Sequence, residues 1–285
     1  MEDPTTLDDA EVDRLVREAL AEDVGSRDVT TESTVGAGAR ARGVFVAKQD
    51  LVVAGLAVAE AVFRVLDSGV RWTAAVSDGA RVGRGSTLAT VAGGARALLT
   101  AERVALNFLQ RLSGVATVTR RFVDAVAGTG ARIRDTRKTT PLLRNLEKYA
   151  VALGGGIPHR PGLDRGVLVK ENHIRLAGGV AEAARLARAG AGGLLVEVEV
   201  ERLDQIEEAL SAGAAMLLLD NFTPEDVRQG VRQIGGRVPV EVSGGVKLEN
   251  VRAYAEAGAD LIAVGALTHS APACDISLET GPDAG

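Results

Sequence analysis

Between residues 130 and 266 the chain repeats one pattern six times, a short apolar run followed by a stretch of helical periodicity. The spacing predicts strands at 132–136, 166–170, 193–200, 214–220, 238–242 and 260–264. Helices are predicted over 143–153, 180–189, 202–211, 224–234 and 248–257. Strands that are apolar on both faces belong to a parallel sheet covered by helices, and a recurrence of about 20 to 30 residues fits barrel closure better than a doubly wound sheet. Six units fall short of eight. The 19 residues after Ala266 cannot hold two more, so the barrel is incomplete or borrows a strand.

The first part of the chain reads differently. Residues 7–22 place Leu7, Val12, Leu15, Val16 and Leu20 on one helical face, with acids in the first turn and Gly25 beyond the end. Short strand signals follow at 43–48, 51–55, 70–76 and 86–93, with a helix near 57–66, which together make a small α+β unit. A long helical pattern over 97–127 is expected to break at Ser113-Gly114. That break sets the expected domain boundary, with one domain over 1–112 and a second over 113–285.

Composition narrows the function. With 285 residues and 46% hydrophobic content the chain can build a substantial core. A net charge of −5 and only eight aromatic residues argue against a broad electrostatic grip on nucleic acid or a row of stacking platforms. One cysteine, Cys274, excludes an internal disulfide and a cysteine-built zinc site. No apolar run reaches the length of a membrane span, and residues 1–9 do not read as a signal peptide, so a soluble cytoplasmic protein is expected. Of the 33 basic residues only five are lysines: Lys48, Lys138, Lys148, Lys170 and Lys247.

In a parallel barrel the chemistry gathers at the C-terminal ends of the strands. Here those ends carry Arg137-Lys138, Lys170-Glu171-Asn172-His173, Glu197-Val198-Glu199, Asp220-Asn221, Glu241-Val242-Ser243-Gly244-Gly245 and Val264-Gly265-Ala266. The period of two puts Glu197 with Glu199 and Glu241 with Ser243 on shared faces. Read singly, each acid fits a salt bridge closing the barrel mouth. A ring of acids and bases on five successive strands is better explained by charged ligands and a metal, because an uncompensated buried carboxylate costs several kcal/mol. Glycines ending the last two strands let backbone N–H groups approach a phosphate. Glu199 and Asp220 are hard oxygen ligands suited to Mg2+ carried by substrate phosphates. His159 lies in the glycine-rich run Gly154 to Arg160, which reads as a loop that moves or folds over something. With His159, His173 and His269 at no metal-ligand spacing, zinc is not expected.

The run Arg134-Asp135-Thr136-Arg137-Lys138-Thr139-Thr140-Pro141, with Lys148-Tyr149-Ala150-Val151, Gly154-Gly155-Gly156-Ile157-Pro158-His159-Arg160 and Leu168-Val169-Lys170-Glu171-Asn172-His173, resembles the quinolinate phosphoribosyltransferases. Glu102 to Asn107, Ser113 to Thr117, Val196 to Glu199, Leu219 to Asn221, Val242 to Gly245 and the early Glu22 to Gly25 and Asp28 to Thr31 extend the resemblance over roughly residues 20 to 280. It implies an α/β protein, an N-terminal α/β sandwich followed by an incomplete parallel α/β barrel of about six βα units. It implies conversion of quinolinate and phosphoribosyl pyrophosphate to nicotinate mononucleotide, pyrophosphate and carbon dioxide, with Mg2+ and no organic cofactor. It also implies a homodimer in which the N-terminal domain of one subunit completes the other's site.

Carried over residue by residue, Arg103 of the partner subunit with Arg137, Arg160 and Lys170 forms the dicarboxylate pocket, with Arg137 and Lys138 at its mouth, and Thr136 also binds substrate. Lys138, Lys170, Glu199 and Asp220 are the catalytic set, and Glu199 and Asp220 hold the metal and face the ribose. Ser243, Gly244, Gly245, Val264, Gly265 and Ala266 cradle the 5′-phosphate, and His159 and His269 touch substrate or phosphate.

Three rival readings stand beside this one. A Schiff-base aldolase would use Lys170 as its amine, which leaves Glu199, Asp220 and the two glycine turns without a role. A paralogous phosphoribosyltransferase with another pyridine-like acceptor would lack part of the arginine set, which here is complete. A non-catalytic phosphosugar-binding module would not need the paired carboxylates.

Overall fold

The computed structural model describes residues 4–283 and divides them into two compact units, 4–118 with 145–154 and 271–283, and 119–144 with 155–270. In chain order the elements are α1 Asp9–Val24, α2 Val29–Thr34, β1 Arg40–Ala47, β2 Leu51–Val52, α3 Leu56–Leu66, β3 Arg71–Ala74, β4 Arg81–Val82, β5 Thr87–Gly94 and α4 Ala95–Ala125. Then come β6 Arg132–Arg134, α5 Arg144–Leu153, β7 Val167–Val169, α6 Glu171–Ala177, α7 Val180–Gly190, β8 Val196–Val200, α8 Asp204–Ser211 and β9 Met216–Asp220. The chain ends through α9 Pro224–Ile234, β10 Val240–Ser243, α10 Val251–Glu256, β11 Leu261–Ala263, α11 Ala266–His269 and β12 Ile276–Pro282.

In the first unit α1 starts where Asp8 accepts the N–H groups of Ala10 and Glu11, and stops at Gly25, whose positive φ reverses the chain. Its buried face is Val12, Leu15, Val16 and Leu20, four of the five residues expected from the spacing. An antiparallel sheet runs in the order β12-β1-β5-β3. The core beneath it includes Phe45 of β1, Phe63 of α3 and Trp72 of β3, whose rings lie 5.4–6.0 Å apart. The β12 strand pairs with β1 along its whole length, so the end of the chain joins the first unit's sheet. The sequence left this segment unassigned because only Ile276 and Leu278 alternate inward before it turns polar.

The second unit holds a six-stranded sheet in the order β6-β11-β10-β9-β8-β7, parallel throughout. All six expected strands are present, and β6 and β7 are edges, so the sheet is a partial α/β barrel. Arg134 of β6 also bridges Ile157 in parallel, and Ile157 N–H donates to the Ile133 carbonyl (2.8 Å). The glycine-rich run expected to move is therefore stitched onto the edge of β6, because its backbone groups satisfy the strand's open side.

One expectation on organisation needs correction. The α4 helix is unbroken through Ser113 and Gly114. These residues are packing positions: the Ser113 hydroxyl accepts from Ala54 N–H (3.1 Å), the Thr117 hydroxyl accepts from Val52 N–H (2.8 Å), and Gly114 lets the 272–273 backbone come close. The first unit takes α4 as far as Val118, then residues 145–154 and the segment from Ala271 onward.

A methyl group on Gly114 would sit 2.1 Å from the Pro272 carbonyl oxygen. Helix propensity alone makes Gly→Ala stabilising by about 1 kcal/mol, whereas the clash makes it destabilising by roughly 1–3 kcal/mol. Gly114→Ala is therefore expected to lower the Tm in a thermal melt; an unchanged or raised Tm would contradict the close approach.

Candidate active site

In the second unit the strands point one set of side chains to the inside, and at their C-terminal ends these become polar. Thr136, Arg137, Lys138, His159, Arg160, Lys170, Glu199, Asp220 and Ser243 line a single cavity of about 300 Å³, together with Leu168, Glu171, Asn172, Leu218, Glu241 and Ala263. In-register pairing sets Ser243 beside Asp220, and Leu218 beside both Glu199 and Glu241. Leu168, Leu218 and Ala263 give the cavity an apolar part on which a flat ring can rest.

The cations gather around Arg137 and Arg160. The Nε atoms of both are buried with no hydrogen-bond partner among the described residues. Burial, and after it the neighbouring Arg137 charge, lowers the pKa of the Arg160 guanidinium. Two close guanidinium groups with unused donors form a seat for a planar carboxylate, which pairs with such a fork through two parallel bonds. Arg160 is anchored through Nη1 to the Gly166 carbonyl (2.5 Å), and its backbone N–H donates to His159 Nδ1 (2.7 Å). The His159 backbone N–H in turn donates to Asp135 Oδ1 (2.5 Å), so a buried carboxylate at the end of β6 fixes the segment.

Glu199 and Asp220 are each half-buried. Burial first, and then the Asp220 charge, raises the pKa of Glu199, with Lys170 opposing; burial likewise raises Asp220 against Lys138 and Lys170. Two carboxylates that repel across a partly desolvated gap are suited to share a hard cation. Asn221, at φ 58°, holds the turn after β9 and donates from Nδ2 to Asp220 Oδ2 (2.6 Å), which aims that carboxylate. Lys170 begins α6, where its N–H donates to His173 Nδ1 (2.9 Å). The spacing ends a strand at Lys170; the strand stops at Val169, Lys170 is the N-cap, and Glu171 to His173 form the first turn of a helix.

Below the cavity the inner face stays charged. Arg134 Nη1 donates to Glu241 Oε2, whose side chain is wholly buried. His159 Nε2 lies 3.7 Å from an oxygen of Glu197 and 3.7 Å from one of Glu241. Burial, and after it the Glu241 charge, pushes Glu197 up to about 8, while Arg134 and Arg160 pull it down. Burial also raises Glu241, against the opposing Arg134 charge. Near neutral pH the pair therefore carries a proton. For Glu241 the bland expectation, a buried salt bridge, describes the geometry, yet Glu241 also lines the cavity and was not among the expected site residues. Its period-two relation to Ser243 is the signal that could have placed it there.

The glycine turns are mixed. Gly244, at φ +90°, has no room for a side chain, since a Cβ would lie 2.2 Å from Asn221 Oδ1, and Gly245 also has positive φ. Gly265 sits against Lys138 and the His269 ring, where a Cβ would come within about 3.1–3.2 Å. Val264, however, donates its N–H to the Arg134 carbonyl (2.8 Å) as part of the sheet and cannot also serve a phosphate. Gly244, Gly245, Gly265, Ala266 and His269 are not among the cavity-lining residues. Arg103 belongs to the first unit, exposed on α4, where it lines a separate cleft of about 270 Å³ with Asp23, Arg27, Asp28 and Thr100.

Comparison with known proteins gives a consistent picture. The family profile described as quinolinate phosphoribosyl transferase, N-terminal domain, matches residues 28–113, and the C-terminal domain profile matches residues 115–279. The chain is 46% identical over 284 residues to a nicotinate-nucleotide pyrophosphorylase (carboxylating) of Mycobacterium leprae, covering 96% of this chain and 99% of that one. It is 41% identical over 267 residues to a probable enzyme of the same name from Bacillus subtilis, covering 93% and 92%. Among solved structures, the nicotinate-nucleotide pyrophosphorylase of Francisella tularensis superposes with a TM-score of 0.94 at 38% identity, covering 99% of this chain and all of the other.

The proton held by Glu197 has a consequence for stability. Its folded pKa, about 8, stands above the ordinary carboxylate value. The folded state thus binds more protons than the unfolded state between those two values, and stability falls as pH rises through that window. Glu197→Gln removes this dependence. Its Tm, measured from about pH 6 to about pH 9, should gain on that of the parent as pH rises; parallel Tm curves would contradict a protonated Glu197.

Proposed function

The chain belongs to the quinolinate phosphoribosyltransferase family, and we propose that it joins quinolinate to phosphoribosyl pyrophosphate, releasing pyrophosphate and carbon dioxide and leaving nicotinate mononucleotide. It is a pentosyltransferase of de novo NAD biosynthesis. The observation that carries this reading is the pair of buried, unpartnered arginine Nε donors in a cavity that also presents a half-buried carboxylate pair and two lysines. A dianionic flat ring, a sugar that gains positive charge and a departing pyrophosphate each find a matching partner there.

The roles follow from charge. Arg137, Arg160 and Lys170 hold the two carboxylates, with Thr136 and His159 beside them, and so orient the ring nitrogen toward the anomeric carbon. As the bond to pyrophosphate loosens, the ribose takes on oxocarbenium character, and Glu199 and Asp220 stabilise it from close range. Their mutual repulsion also supports Mg2+ at that point, where Glu199 and Asp220 would hold it and it would supply positive charge to neutralise the leaving group. Lys138, at the mouth, supplies a compact charge to the pyrophosphate. Ser243, Gly244, Gly245, Gly265 and Ala266, with His269, are proposed to receive the 5′-phosphate. Once alkylated, the ring nitrogen is a pyridinium; loss of carbon dioxide from the adjacent carbon leaves an electron pair stabilised next to that charge, and a proton then fills the position. No organic cofactor is needed.

We further read the enzyme as a homodimer in which the partner subunit's Arg103 completes the dicarboxylate seat. Support for it is the exposure of Arg103 on a helix, in a cleft with no other role in the proposed chemistry. A cytoplasmic setting is supported by the single cysteine, the buried Cys274, which leaves the chain without an internal disulfide.

Steady-state assays of pyrophosphate release test this reading. Quinolinate should support turnover and nicotinate should not. Arg103→Ala should raise the quinolinate KM more than the phosphoribosyl pyrophosphate KM, by about tenfold or more for a lost charge pair. At quinolinate concentrations below the raised KM, mixing the impaired Arg103→Ala and Asp220→Asn proteins should restore activity if the sites are shared. Turnover of nicotinate alone would overturn the substrate, and mixtures no better than their components would overturn the shared site.

A further inference from the structure

A third guanidinium lies behind the two that receive the substrate. Arg134, at the end of β6, has a largely buried side chain (17% exposed), and its Nε has no partner among the described residues. It does not line the cavity. Its ion-pair partner among the described residues is Glu241, whose carboxylate does line the cavity and is wholly buried. The other Glu241 oxygen, Oε1, has no hydrogen-bond partner among the described residues and faces His159 Nε2 at 3.7 Å. The carboxylate of Glu241 thus screens Arg134 from whatever enters the cavity.

A guanidinium stays charged at any working pH and attracts carboxylates whichever wall it stands on. Were Arg134 uncovered, a dicarboxylate entering a cavity already lined by Arg137 and Arg160 would have a second place to bind, deeper on the inner face. Successive inward positions on a strand are about 6.6 Å apart, two residues of rise. Even a small part of that displacement removes the ring nitrogen from attack distance, since misplacement by about 1 Å can cost about a hundredfold in rate.

Resting on the reading of the cavity as a quinolinate site, we propose that Glu241 is a specificity-determining residue that sets binding depth: it occupies Arg134 so that substrate carboxylates pair with Arg137 and Arg160 and not with the guanidinium behind them. Its acidity inside an anion pocket, otherwise a cost, repels carboxylates from the floor and holds the ring toward Glu199 and Asp220.

The experiment compares the parent enzyme, Glu241→Gln and the double variant Arg134→Gln/Glu241→Gln, with quinolinate and phosphoribosyl pyrophosphate as substrates and circular dichroism as the check on folding. Turnover of quinolinate by the parent establishes the underlying reading; its absence would sink that reading and this one with it, whereas turnover by the parent with an unaltered kcat in Glu241→Gln overturns this one alone. Glu241→Gln should lose about 30-fold or more in kcat through misplaced binding, while its quinolinate KM stays level or falls. The KM for phosphoribosyl pyrophosphate should move by less than about threefold. Removing the uncovered cation in the double variant should restore kcat by about tenfold or more. A merely structural ion pair would alter Tm without this separation of kcat from KM. A quinolinate KM that rises with kcat intact, an unchanged kcat, or no recovery in the double variant overturns the proposal. If Glu241→Gln does not fold, the double variant decides, since removing both members of a buried pair is far better tolerated than removing one. A kcat within about tenfold of the parent then supports the proposal, and a deeper loss overturns it.

Discussion

Charge on the inward face of a parallel sheet has to be balanced inside the protein, and in this chain the balance is struck between Arg134 and Glu241. An isolated buried carboxylate or guanidinium would cost several kcal/mol, and breaking such a pair costs about 3–5 kcal/mol. Pairing them below the cavity leaves Arg137, Arg160, Lys138 and Lys170 as the cations that face outward to a ligand. The same inner face runs apolar through Leu168, Leu218 and Ala263, then acidic again at Glu199 and Asp220. Within a few ångströms of strand the environment passes from buried ion pair to anion seat to cation seat, which is the order that a reaction between a dicarboxylate and a cationic sugar requires.

Positions around this gradient are fixed by backbone chemistry more than by side-chain bulk. Asp135 holds the His159 N–H, Arg160 is tied to Gly166, Asn221 adopts the left-handed conformation that lets it brace Asp220, and His173 caps the first turn of the helix that Lys170 begins. His159, Arg160, Asp220 and Lys170 therefore each stand on a neighbour that has no direct part in the proposed reaction. Such support lets a site on the ends of six different strands keep one geometry.

The second unit was largely legible in the sequence because its signal is periodic: six apolar runs give six strands, and period two puts Glu199 and Asp220 at their ends. Legibility failed where one residue obeyed two rules. Gly114 looked like a helix break and is a close-approach position inside α4. Val264 sits in a glycine-ended turn, but its N–H belongs to the sheet. Glu241 read as one more strand-end acid, and its pairing with Arg134, 107 residues away, is a tertiary fact with no local trace. The β12 strand offered only two inward apolar residues, too few to distinguish it from a loop.

The most direct measurement of the central claim is a crystal structure of the protein with quinolinate bound. The carboxylates should lie within hydrogen-bonding distance of Arg137 and Arg160, at least one accepting from a presently unpartnered Nε, with the ring against Leu168 and Leu218 and its nitrogen toward Glu199 and Asp220. Quinolinate seated elsewhere, or with its carboxylates directed at Glu199 and Asp220, would contradict the account.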